Sequence, residues 1–159
     1  MHAKYLIADA SRAWIGTPNW TTSAFKGNRE FAVIDTDPAV ARETEAVFAA
    51  DWAHTAYTGA DDALVLSPMN SRAQIESLIT SARRSLDVYA EELNDQVVSS
   101  DLQAAVHRGV KVRLVTTVDD KIGSLAGVIP TVVRDRANYV HAKIVIADGT
   151  AMYLGSEII

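Results

Sequence analysis

The sequence predicts an α/β fold: a mixed, largely parallel sheet flanked by helices. Three observations lead there. Short runs rich in β-branched and aromatic residues alternate along the chain with amphipathic segments of helical period. Strands that alternate with helices imply parallel neighbours, in a sheet made hydrophobic by cover on both faces. Finally, one pattern of polar residues stands at both ends, as "MHAKYLIADASRAWIGTPN" and as "VHAKIVIADGTAMYLGSEI".

Taken in order, residues 3–8 and 12–16 read as two short strands joined by a turn at Asp9-Ala10-Ser11, and "NREFAVID" (28–35) as a third. Asp37 followed by Pro38 is a helix start, a capping carboxylate before proline at the first helical position. Val40, Thr44, Val47, Phe48 and Trp52 then recur at helical spacing, giving a helix over 38–54. "TGADDA" (58–63) is the linker, dividing the chain into 1–60 and 61–159. Beyond it, "LVLSP" (64–68) reads as a strand. Ser71 and Gln74 read as a capping box for a helix whose Ile75, Leu78, Ile79 and Ala82 share a face. "SLDVYA" (85–90) is a strand, Ser100 with Gln103 caps a helix ending at Gly109, and "VKVRLVTT" (110–117) is the next strand. Residues 118–128 read as loop and "PTVVR" (130–134) as a strand before the second copy of the end pattern.

Composition narrows the classes. At 159 residues the chain is long enough for one sizeable core. Its 48% apolar and 22% charged residues are ordinary for a globular protein. No apolar run reaches the roughly 18 residues of a membrane span, and no signal-peptide pattern precedes the first motif. The absence of cysteine excludes disulfides and thiolate chemistry. A net charge of −5 and a pI near 5.3 argue against a broad basic face of the nucleic-acid kind.

The end pattern carries chemistry. His2, Lys4 and Asp9 align with His141, Lys143 and Asp148 without a gap, and Gly16-Thr17 aligns with Gly155-Ser156. Side chains alternate along a strand, so each histidine shares a face with its lysine. An imidazole can serve as nucleophile, base or acid near neutral pH, and an adjacent ammonium stabilises anionic oxygen. Thr17, Asn19 and Ser156 offer further hydrogen bonds to the same oxygens. Two such sets facing each other suit a phosphodiester, one histidine attacking phosphorus and the other protonating the departing alkoxide. The two lysines supply the positive charge, so no metal and no cofactor is expected. Asp9 and Asp148, beside turns and on the other parity from the lysines, are expected to brace the hairpins.

These residues resemble the phospholipase D superfamily, whose signature is HxKxxxxD followed by GSxN. Here it reads HAKYLIAD with GTPN, and HAKIVIAD with GSEI. "NREF", "FAADW" and "ARRSLDVYAEEL…AAVHRGVKVRLV" extend the resemblance over nearly the whole chain. The resemblance implies a phospholipase D-like fold and a phosphodiesterase, hydrolase or phosphatidyl transferase working through a phosphohistidine. It also implies that Glu30 hydrogen-bonds and orients His2, which on that ground is expected to be the nucleophile. Thr17 departs from the usual serine, and Ile158 stands where the second copy should carry asparagine. Residues 1–60 then read as the C-terminal part of a first repeat, and 61–159 as a second repeat truncated within its motif. Both ends look cut, and a homodimer or a partner chain could supply the missing parts.

Other residues read more plainly. Glu91 and Glu92 follow a strand end, where α/β sheets bind ligands, yet they read first as a solvated loop. His54 and His107 have no matched partners. Trp14, Trp20 and Trp52 are expected in packing. The expected partner is a phosphodiester, phospholipid ahead of nucleic acid given the acidic pI. The alternatives are a nuclease of the same superfamily and an inactive fragment serving as an interaction module.

Overall fold

The structure is a computed structural model that describes residues 2–59, 63–117 and 122–157. Its first half is built on a three-stranded antiparallel sheet, ordered β1-β2-β4. β1 (Tyr5–Ala8) and β2 (Arg12–Gly16) form a hairpin that pairs Tyr5 with Ile15 and Ala8 with Arg12. Asp9 and Ala10 in its turn have φ of 54° and 49°, the left-handed pair that matches strand twist in a type I′ turn. A short helix α1 (Thr22–Lys26), then β3 (Asn28–Arg29) and β4 (Ala32–Asp35), lead to α2 (Pro38–Trp52). α2 starts as its sequence implies, with the Asp37 carboxylate accepting from the Ala39 N–H at 2.8 Å.

The second half holds a five-stranded mixed sheet, ordered β10-β9-β5-β6-β7. β5 (Ser85–Ala90), β6 (Lys111–Thr116) and β7 (Thr131–Arg134) run parallel, while β9 (Lys143–Ala147) runs antiparallel to both β5 and β10 (Ala151–Leu154). Helices α3 (Ser71–Ser81) and α4 (Gln96–His107) bring Ile75, Ile79 and Leu102 onto Leu86, Val88, Val112, Leu114 and Val145. Burying these side chains contributes roughly 1.5–3 kcal/mol apiece, which makes this the main core. The mixed sheet flanked by helices is therefore present as the sequence implies. Among the described residues no helix is long and apolar enough to cross a membrane.

A two-residue parallel ladder joins the halves. β3 pairs with β8 (Tyr139–Val140), Asn28 beside Tyr139 and Arg29 beside Val140. Phe31 packs there on Tyr89, ring centroids 5.3 Å apart, against the small core of Val140, Ala142 and Ile144. The single strand expected over 28–35 is thus broken at Glu30-Phe31. Its first part pairs with the second half and its last part with β2, so the chain must turn between them. That break aims Glu30 at the site.

Several expectations are corrected. Residues 64–68 form no strand, because the Asn70 side chain accepts from the Leu66 N–H at 2.7 Å and donates to the Leu64 carbonyl at 3.0 Å. No capping box forms at Ser71, whose hydroxyl donates to Glu157 at 3.3 Å. α4 starts at Gln96 instead of near Ser100, since Asp95 accepts from the Val97 and Val98 N–H groups at 2.9 and 3.1 Å. α2 buries Ala41, Glu43 and Thr44, and leaves Phe48 and Trp52 exposed with their rings stacked 6.1 Å apart. Trp52 is therefore no core residue, and Trp20 is exposed beside a half-buried Trp14. Ile158 and residues 60–62 of the expected linker lie outside the described residues.

Candidate active site

The two copies of the pattern fold alike. In the first, Gly16 N–H donates to the Lys4 carbonyl at 3.1 Å; in the second, Gly155 N–H donates to the Lys143 carbonyl at 3.3 Å. Asp9 and Asp148 have φ of 54° and 55°. The turns close through Ser11 N–H to the Ala8 carbonyl at 3.1 Å and Thr150 N–H to the Ala147 carbonyl at 3.0 Å. Each copy thus closes its hairpin in the same way, with its histidine just ahead of the hairpin's first strand, β1 or β9.

The copies also meet each other, and each histidine is held by the opposite half. His2 Nδ1 donates to the Ser156 carbonyl at 2.8 Å. A carbonyl can only accept, so Nδ1 carries the proton and Nε2 of the neutral ring presents a lone pair. His141 Nδ1 lies 2.9 Å and 3.0 Å from the two oxygens of Glu30. This corrects the expectation that Glu30 orients His2. The β3–β8 ladder sets Glu30 against the second motif, and the backbone places His2 beside Ser156 instead.

Glu30 is held in turn. Thr17 Oγ1 donates to its Oε2 at 2.6 Å and Asn28 Nδ2 to its Oε1 at 3.1 Å. Thr17 is fully buried, and its hydroxyl also accepts from the Phe31 N–H at 3.0 Å. Expected as a phosphate ligand, Thr17 has already committed its only proton to Glu30. Asn19 and Ser156 are half-buried at the ends of their hairpins.

The lysines differ. Lys143 is buried, and its Nζ donates to Glu91 Oε2 and to the His141 carbonyl, both at 2.7 Å. Lys4 is also buried, yet its Nζ has no hydrogen-bond partner among the described residues. Burial, then the charge of Lys143, lowers the Lys4 ammonium from its ordinary value, against opposition from Glu30 and Glu91. His2 is lowered as well. Although much of the residue is open to solvent, water lost around the ring acts first and the Lys4 charge second, partly offset by the bond to Ser156. Lys143 and His141 act on it too, so all four motif side chains share one electrostatic site.

Asp148 ties its turn to the backbone that leads from α3 into β5, where a brace within its own hairpin was expected. Its carboxylate accepts from the N–H groups of Arg83, Arg84 and Ser85 at 2.7–3.3 Å, and those backbone bonds, Ser85 first, hold it below the usual carboxylate range. Among the described residues Asp9 faces only Arg12, at 3.9 Å in solvent.

Two residues of the site, Asn28 and Tyr139, were not singled out from sequence, and a third, Glu91, reads there first as a solvated loop. Tyr139 stands two positions before His141, on the same strand parity. Glu91 caps the carboxyl end of β5, the place where such sheets bind ligands. Its Oε1 accepts from the Tyr139 hydroxyl at 2.6 Å, and its Oε2 lies 3.6 Å from His141 Nε2. Burial alone would raise its carboxyl, but the bonds from Lys143 and Tyr139 outweigh burial and lower it.

Comparison with known proteins bears on this geometry. A family model described as cardiolipin synthase, PLD-like domain, matches residues 1–52 and 75–157. No curated protein matches the chain in sequence. Among solved structures, a phospholipase D family member, Nuc from Salmonella typhimurium, is 27% identical with a TM-score of 0.50, over 57% of this chain and 66% of that one. Polyphosphate kinase from Porphyromonas gingivalis is 15% identical with a TM-score of 0.76, over 99% of this chain and 28% of that one. NucT from Helicobacter pylori is 20% identical with a TM-score of 0.48, over 58% of this chain and 70% of that one. The chain thus spans just under two thirds of Nuc and under a third of the kinase. The kinase likeness speaks to fold alone, and it takes in both halves of the chain together.

Proposed function

The chain belongs to the phospholipase D-like domain family, and on that premise we propose that it is a metal-independent phosphodiesterase or phosphatidyl transferase acting through a phosphohistidine. The observation that carries this reading is the crossing of the motifs: His141 bonded to Glu30 of the first half, and His2 bonded to Ser156 of the second.

The protons assign the roles. A nucleophile needs a neutral ring with a free lone pair. His2 fits, because partial burial and then its lysine neighbours disfavour the cation and its Nδ1 proton is fixed on a carbonyl. His141, with Glu30 holding Nδ1 and Nε2 turned to the site beside Glu91, is placed to hand a proton to the leaving oxygen. His2 Nε2 attacks phosphorus while the bond from phosphorus to the leaving oxygen breaks, and His141 Nε2 passes its proton to that oxygen. Water or an acceptor alcohol then attacks the phosphohistidine and yields its own proton to His141, restoring both rings. Lys4 and Lys143 offset charge on the non-bridging oxygens, with Asn19 and Ser156 as further donors. Glu30 and Thr17 act through His141.

Residues 1–60 and 61–159 correspond in this reading to the tail of one repeat and most of a second. Both motifs come from a single chain, so a partner chain or homodimer is needed only for surroundings of the site. The acidic pI near 5.3 favours a phospholipid head group over nucleic acid.

Turnover of bis(p-nitrophenyl) phosphate tests the reading. His2→Ala and His141→Ala should each lower it at least about 10³-fold, while EDTA should leave it unchanged. No turnover above background in the wild type would favour an inert interaction module, and a rate that survives both substitutions would refute the histidine route. Loss in EDTA with recovery on zinc or magnesium would refute the metal-free route. A panel of phosphatidyl lipids and nucleic acids then separates the lipid enzyme from the nuclease.

A further inference from the structure

Neither copy of the motif requires an acid at position 91. Glu91 nevertheless sits against the two groups of the second copy that must meet a phosphoryl oxygen. Its Oε2 takes the Lys143 Nζ at 2.7 Å and faces His141 Nε2 at 3.6 Å. The other nitrogen of His141 is engaged by Glu30, so Nε2 is the only one through which this ring can exchange a proton with substrate. One carboxylate oxygen therefore stands in front of both groups. The first copy differs: Lys4 Nζ is buried and has no hydrogen-bond partner among the described residues.

We propose that Glu91 is a displaceable placeholder, whose carboxylate holds Lys143 and His141 Nε2 in the resting protein and yields them to the entering phosphoryl group. This rests on the reading of the site as one for phosphodiesters. The chemistry of the exchange is even-handed, since carboxylate and phosphoryl oxygens are both anionic acceptors and compete for the same charged donors. Both cannot keep the position, because two anions in contact repel strongly where water is scarce. Tyr139 bonds the other oxygen of Glu91 at 2.6 Å, which leaves the carboxylate an anchor once Oε2 has let go. Lys4 offers the phosphoryl group its first attraction.

The placeholder also confers selectivity. A small free anion gains only what Glu91 already supplies, and must still expel it. A phosphodiester brings further contacts from its two esterified groups, so it displaces the carboxylate more readily than inorganic phosphate or sulfate does. Glu91 is thus a positioning and specificity residue, distinct from the motif itself.

Calorimetric titration with tungstate and inorganic phosphate tests this. Glu91→Gln keeps an acceptor for Lys143 and Tyr139 but removes the charge. It should bind either anion about tenfold tighter than the wild type, and Glu91→Ala should also bind more tightly. KM for bis(p-nitrophenyl) phosphate should fall in Glu91→Gln. Anion affinity equal to or below that of the wild type in both variants overturns the proposal, since Glu91 would then merely brace Lys143. If no protein, wild type included, binds either anion and His2→Ala leaves turnover unchanged, the phosphodiester reading fails and takes the placeholder with it.

Discussion

The same eight-residue pattern occurs twice, yet its residues keep different company in the two places. Asp148 closes over three backbone amides, whereas Asp9 meets a single arginine at 3.9 Å in solvent. His141 is buried against a carboxylate and His2 is exposed against a carbonyl. Lys143 is paired with Glu91, while Lys4 Nζ has no hydrogen bond among the described residues. What the copies share is set within each hairpin: the left-handed turn and the closing hydrogen bonds. What differs is set by the other half of the molecule. The motif fixes a geometry, and its neighbours decide which imidazole stays neutral and which is surrounded by acids.

The widest expected gap between the copies lies in Glu30. Glu30→Gln should lower kcat about 10²-fold by weakening the hold on His141, with Thr17→Ala having a smaller effect in the same direction. Neither should move the acid limb of the kcat/KM profile, because that limb belongs to His2. Its cation is disfavoured, so activity should be lost only as pH falls below the ordinary histidine value of 6.5. A limb at or above that value in the wild type would contradict the assignment of the neutral ring.

Stability should split the aspartates. Asp148→Asn should lower the melting temperature by several degrees, and Asp9→Asn should leave it nearly unchanged. The Asp148 carboxyl is lowered in the fold, so its contribution is present above its unfolded value of 3.8 and lost as pH drops through the folded one. The difference between wild type and Asp148→Asn should therefore narrow in acid. Equal effects of the two substitutions would show that the hairpins are braced alike.

The smallest difference lies in the turns. Ala10 adopts a φ of 49° where its counterpart is Gly149 at 70°. Ala10→Gly should stabilise by about 1 kcal/mol, and Gly149→Ala should destabilise by about as much. Nothing lies within 4 Å of a Cβ built on Gly149, so the cost is one of backbone conformation alone. Chemical denaturation with an unchanged m value would measure both.

Much of this was legible in the residues, and its limits follow from range. The hairpins and the Asp37-Pro38 helix start depend on neighbours a few positions away, and local pattern captures them. The partner of Glu30 depends on the β3–β8 ladder, which joins residues over a hundred positions apart. No periodicity in "NREFAVID" reveals that the run serves two sheets. The apolar look of "LVLSP" was likewise outweighed by one side chain, Asn70, which takes the backbone groups a strand would need. Glu91 carried a usable signal in its place at the end of β5, but a charge there is usually solvated. Only the packing of Tyr139 and Lys143 around it makes it part of the site.

His2 and His141 divide the labour across one shared site, His2 as nucleophile and His141 as acid. Quenching turnover of a phosphodiester in alkali, where phosphohistidine survives, and mapping the phosphoryl group by peptide mass would measure it. With bis(p-nitrophenyl) phosphate, whose leaving group departs without a proton, the group should appear on the peptide containing His2, be absent from His2→Ala and accumulate in His141→Gln. A phosphoryl group on His141, or none on either histidine during turnover, would contradict it.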